Sequence, residues 1–171
     1  MPSTTTPSKN HRATNPLVGF IGWLAICFVA AAIGAFASAN AGDFYSQLVR
    51  PTWAPPAWLF APVWTMLYAM MAVAALIVWQ EKGWQNGRTA LSLFLVQLAA
   101  NALWTWLFFA WHLGAVAFAE IVLLWLLIAA TTVVFWGINK LAGALMLPYL
   151  AWVGFASALN YAMWQGNPQI L

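Results

Sequence analysis

RPTWAPPAWLFAPVW, residues 50–64, places four prolines and three tryptophans in fifteen positions, between two long apolar runs. Proline fixes φ and removes a backbone donor, so a segment holding Pro51, Pro55 and Pro56 does not carry a helix onward. A helix can restart just beyond it, because Pro62 falls in the first turn or two, where a missing N–H costs little. The stretch therefore divides the chain, and residues 40–56 read as its one long connection.

Working outward, the 171 residues are 64% hydrophobic and 5% charged, against about a quarter charged in an ordinary soluble domain. Residues 1–16 are polar and are expected to form a disordered tail. Beyond them, apolar runs at about 17–39, 57–79, 89–110, 115–137 and 143–164 each reach the ~20 residues that cross a bilayer as helix. Backbone groups in lipid must be satisfied internally, and these runs are too long for barrel strands. The fold class is an all-α membrane protein: a five-transmembrane-helix bundle over residues 17–171, embedded in the lipid bilayer. Short linkers at 80–88, 111–114 and 138–142 make sequential helices antiparallel.

The basic residues orient the bundle. Lys9, Arg12, Lys82, Arg88 and Lys140 fall on one side and only Arg50 on the other. Five against one predicts a cytoplasmic N-terminus, with loop 40–56 and the C-terminus facing out. The alternative is a cleavable signal peptide, for which AFASANA (35–41) offers A-x-A sites. The first apolar stretch exceeds the usual ~7–15 residues of such signals, which favours an uncleaved helix. A net charge of +3 is too small for a nucleic-acid surface, and one cysteine, Cys27, allows no internal disulfide.

Conventional catalytic and metal motifs are absent. There is no phosphate-cradling glycine loop, no H-E-x-x-H and no Cys/His cluster at metal spacing. The histidines are His11 in the tail and His112 in a short loop, and no metal site is expected. Of the thirteen tryptophans, Trp79, Trp84, Trp111, Trp136 and Trp164 fall at predicted helix ends and suit an aromatic belt. Trp64, Trp104, Trp125 and Trp152 fall well inside and need packing or an N–H partner. Three of them join stripes on single helical faces: Phe60, Trp64 and Tyr68; Gln97, Asn101 and Trp104; Trp152, Ala156 and Asn160. Amides in hydrocarbon must be paired, so Gln97, Asn101 and Asn160 are expected to point inward. They either glue helices together or line an aromatic-walled cavity for a large flat apolar ligand. The small residues Ala30, Gly34, Ser38 and Ala31, Ala35, Ala39 are expected to serve packing. Glu120 is the one acid inside a span, shallow enough to snorkel, and Pro148 is expected to bend the last helix.

FYSQLVRPTWAPPAW (44–58), APVWTMLY (61–68), QLAANALWTWLFF (97–109) and LPYLAWVGFASALNY (147–161) resemble, in order, the TspO/MBR family of tryptophan-rich sensory and translocator proteins. The P-x-W-x-P-P-x-W core is its most specific part. The resemblance implies a five-helix bundle, usually a homodimer, that binds porphyrins under the loop joining helices 1 and 2 and requires no cofactor. Carried over by motif position, the ligand-binding residues are Tyr45, Trp53, Trp58, Phe60, Trp64, Asn101, Trp104, Trp152 and Ala156. Trp64 and Trp152 match tryptophans implicated in light-dependent porphyrin breakdown, which makes them the catalytic candidates if the protein is an enzyme. A ligand-free scaffold is the remaining alternative. The run LNYAMWQG (159–166) lacks the basic residue that ends the family's sterol pattern, which counts against sterol binding. Phe44-Tyr45 stands where many relatives have Trp-Tyr, and Arg50-Pro51 where many have Lys-Pro. On this reading the prolines stiffen a lid over the ligand mouth and lower the entropy cost of ordering it.

Overall fold

The computed structural model describes residues 16–171. The expected tail, with Lys9, His11 and Arg12, lies outside the described residues. Helix α1 spans Pro16–Ala37, and a short α2 spans Ala41–Gln47. After the proline segment, a 3-10 turn at Ala57–Leu59 leads into α3, Phe60–Thr105. A π turn, Trp106–Ala110, closes it. Then come α4, Gly114–Ile138, and α5, Lys140–Gly166. No strand occurs among the described residues.

The apolar stretch Ala57–Ala110 covers 54 residues, far beyond the ~20 that one crossing needs. It is two crossings. Gly83, at φ 64 and ψ −177, interrupts the helical dihedrals and divides α3 into two arms. That left-handed φ is open to glycine at no steric cost. With α1, α4 and α5, the two arms make five membrane-spanning segments.

Three expectations about the connections change. Residues 80–88 are helical on both sides of Gly83 rather than a loop, because Gln80, Glu81 and Lys82 are good helix formers. Residues 138–142 shrink to a one-residue connection: Asn139 caps α5, its Oδ1 accepting from Leu141 N at 2.8 Å and Ala142 N at 3.1 Å. The connection at 40–56 is not irregular throughout, since α2 occupies its first half. That half holds no proline, and Phe44, Tyr45 and Leu48 bury together against Leu107, Phe108, Leu159 and Met163. The helix ends are otherwise within a few residues of expectation, and α5 runs on through Pro148.

α1 packs on α3, α4 pairs with α5, and α3 also contacts both α4 and α5. Near Gly83 the bundle is solid. Phe94 stacks on Phe135 with centroids 5.8 Å apart, and Trp23 meets Phe94 edge-on at 5.9 Å. The ring of Trp79 occupies the space a side chain at Gly19 would need, and Trp136 does the same to Gly143. Glu81 accepts from Asn139 Nδ2, tying the connection between the α3 arms to that between α4 and α5. At the other end, where residues 38–59 cross, the packing opens.

Candidate ligand-binding site

Two amide-centred hydrogen-bond groups hold the walls at the open end. Tyr68 Oη donates to Asn101 Oδ1 at 3.1 Å, and Asn101 Nδ2 donates to Tyr149 Oη at 2.6 Å. These bonds join both arms of α3 to α5. Trp104 Nε1 donates to Asn160 Oδ1 at 2.9 Å, and Asn160 Nδ2 donates to Gly114 O at 3.3 Å. Each such bond contributes on the order of 1 kcal/mol inside a membrane bundle. Their larger value is in fixing side-chain orientation, because an unpaired buried amide would cost more than a paired one gains. Asn101 and Asn160 are each 2% exposed and Gln97 is fully buried, so all three amides turn inward.

The held residues wall a cavity of about 420 Å³. Tyr45, Phe60, Trp64, Asn101, Trp104, Trp152 and Ala156 line it, joined by Tyr68 and Thr105. Its α1 wall consists of Phe28, Ala31, Gly34, Ala35 and Ser38. The more exposed lining residues, among them Phe28, Ala35, Ala57, Ala61 and Thr65, lie along the seam between α1 and the first arm of α3.

Seven of the nine residues singled out from the sequence therefore share one cavity, and two do not. Trp53 is 49% exposed and meets Phe155 edge-on at 5.7 Å, while Trp58 is 71% exposed on the 3-10 turn. The WAPPAW prolines turn these two indoles outward from the cavity, and the connection between α1 and α3 reaches it through Ala41, Gly42, Tyr45 and Ala57. Tyr45 Oη donates to Pro55 O at 2.9 Å, and Arg50 sits 5.1 Å over the Tyr45 ring. Burial pushes the Tyr45 phenol above the usual tyrosine range, opposed in part by the Arg50 guanidinium. The phenol stays protonated and remains the donor.

Trp125 stands apart from the other inner tryptophans. It is 37% exposed, and its Nε1 donates to Leu150 O at 3.2 Å across the α4–α5 seam. Trp152 packs between Phe60 at 5.9 Å and Phe155 at 5.5 Å, its covered indole N–H having no partner among the described residues. Glu120 does not snorkel. It is 9% exposed, and neither carboxylate oxygen has a hydrogen-bond partner among the described residues. His112, at φ 54, stacks on Phe44 with centroids 4.2 Å apart.

Tyr149 and the α1 wall were not singled out as site residues. Tyr149 carries a usable signal: with Val153, Ala156 and Asn160 it repeats at i, i+4, i+7, i+11, one face of α5. The small residues of α1 were read as packing, and Gly34 does pack, since a Cβ there would sit 3.3 Å from Thr105 Oγ1. Short side chains on a helix also leave the room that becomes a cavity.

The TspO/MBR family profile covers residues 23–165, from within α1 to the end of α5. The chain belongs to the TspO/MBR family. It is similar to Protein CrtK of Rhodobacter capsulatus, 40% identical over 151 residues, covering 87% of this chain and 92% of that protein. It is also similar to the Tryptophan-rich protein TspO of Chlorobaculum tepidum, 41% identical over 135 residues (78% of this chain, 85% of the relative). The Translocator protein of Homo sapiens is 37% identical over 126 residues, 72% of this chain and 75% of its own length. TspO/MBR membership and the apolar spans make this an integral, multi-pass membrane protein.

Proposed function

We propose that this TspO/MBR protein binds a flat, largely apolar tetrapyrrole of the protoporphyrin class, and that it serves in sensing, trafficking or disposing of such molecules. The observation that carries this reading is the meeting of three tryptophans, Trp64, Trp104 and Trp152, in the wall of one membrane-embedded cavity. Broad rigid rings give a planar ligand large contact area at little entropic cost, and the few polar groups suit a ligand with an apolar body. Neither a metal nor a cofactor is invoked, and a homodimer is the assembly the family resemblance implies. The three basic residues Lys82, Arg88 and Lys140 cluster by sequence near the Gly83 end, against Arg50 at the lid end. This supports a cytoplasmic Gly83 end.

A second reading is favoured by one feature. Trp64 and Trp152 line the same cavity, so a bound macrocycle would contact both, as light-driven breakdown with these indoles as electron donors requires. Purified protein with protoporphyrin IX separates the readings. Saturable quenching of tryptophan fluorescence in the dark, with only slow bleaching in light that Trp64→Phe leaves unchanged, is the result expected of a binder. Repeated turnover in light to one distinct product, lost in Trp64→Phe, would make it an enzyme. No saturable quenching would leave a scaffold.

A further inference from the structure

The segment from Leu48 to Ala57 has little internal bonding: Ala54 N–H to Pro51 O and, at its end, Leu59 N–H to Pro56 O, each at 3.0 Å. It connects Tyr45 and Ala57, two residues of the cavity wall. Its start is tied to the bundle by the buried Leu48 side chain and, through hydrogen bonds to the next residue, by a side chain 118 residues further on. Asn167 Oδ1 accepts from Val49 N–H at 2.8 Å, and Asn167 Nδ2 donates to Val49 O at 3.0 Å. One amide thus satisfies both backbone groups of one residue, as a neighbouring strand would.

The amide is itself held in place. Asn167 is 5% exposed, and its Nδ2 also donates to Met163 O at 2.8 Å. Its own carbonyl accepts from the N–H groups of Ile170 and Leu171, each at 3.0 Å. Seven residues earlier on α5, Asn160 accepts from Trp104 in the cavity wall. One end of α5 therefore carries two asparagines with separate tasks, one on the wall and one on the lid.

We propose that Asn167 is a latch, a positioning residue that keeps residues 48–56 closed and sets how fast ligand enters and leaves. The proposal rests on reading the cavity as the ligand site. Asn167 does not line the cavity, so it makes no contact with a ligand held there. Its loss therefore speeds entry and exit by one factor and leaves affinity alone.

The test uses full-length protein in detergent micelles, with protoporphyrin IX as the probe. Stopped-flow tryptophan quenching gives association, competitor chase gives dissociation, and hydrogen exchange reads the Val49 amide without ligand. In Asn167→Ala, the Val49 amide should exchange faster, and both rate constants should rise about ten-fold, as expected for losing two lid hydrogen bonds. Kd should change less than about two-fold. Val49→Pro deletes the donor from the lid side while leaving Asn167 in place, and Leu48, at ψ 140, already has the extended backbone that precedes proline. It should reproduce both rate increases even if Asn167→Ala destabilises the end of α5. Faster Val49 exchange with unchanged rate constants overturns the latch and leaves the binding site standing. A weaker Kd with unchanged association makes Asn167 part of the wall and also overturns it. Wild-type protein that shows no saturable quenching overturns the binding reading, and with it a latch acting on ligand.

Discussion

Glu120 places a carboxyl group where helix packing covers it and nothing among the described residues bonds it. A charge held there has no counter-ion to offset its desolvation, so replacing it breaks no ion pair. Glu120→Gln should leave the thermal midpoint in detergent unchanged or raise it, whereas Glu120→Leu should also be tolerated; a fall of several degrees in both would reveal a partner for the carboxyl. The tryptophans divide in a testable way. Trp152 lines the cavity, whereas Trp164 stacks on Phe118 at 6.1 Å and packs against Gly114. Trp152→Phe should weaken porphyrin binding by on the order of 1 kcal/mol, the scale of one aromatic contact. Trp164→Phe should leave it unchanged, and equal losses in parallel titrations would remove Trp152 from the site.

At the scale of elements, the spans were readable because hydrocarbon thickness demands long apolar runs, and no soluble packing scheme imitates 17–39 or 115–137. The connections were less so. α2 is seven residues long, too short to display a period, and its helicity follows from Phe44, Tyr45 and Leu48 reaching the Leu107–Met163 cluster, a tertiary fact. Residues 80–88 fall between two apolar runs and so read as a linker, although Gln80, Glu81 and Lys82 favour helix and only Gly83 departs from it. The amide stripes were legible for the same reason as the spans: a paired Asn101 or Asn160 can only face inward. Trp53 and Trp58 lie outside the cavity wall, because motif position places a residue in the 40–58 connection and does not say which way its ring turns. Gly83→Val should cost roughly 1–3 kcal/mol through its left-handed φ. Chemical denaturation should register the loss while porphyrin affinity holds, since Gly83 lies at the end of the bundle remote from the cavity.

For the molecule as a whole, one end is packed solid and the other is hollow. Phe94, Phe135 and Trp23 fill the bundle near Gly83, while beyond Phe28 α1 gives the far end the small side chains Ala31, Gly34, Ala35 and Ser38. Both the lid and the C-terminus lie at the hollow end, joined through Asn167. If the basic residues orient the bundle, a reporter fused after Leu171 should be active on the outer side of the membrane and silent in the cytoplasm. The reverse pattern would invert the bundle without altering the cavity. Whether the hollow end holds the ligand is decided by filling it. Ala156 lines the cavity at 7% exposure, and Ala158 is on the exposed face of the same helix. Protoporphyrin IX titrated into Ala156→Trp, with helical content confirmed by circular dichroism, should show saturable quenching abolished, while Ala158→Trp binds as the wild type does. Undiminished saturable binding by a folded Ala156→Trp protein would contradict the assignment of this cavity as the porphyrin site.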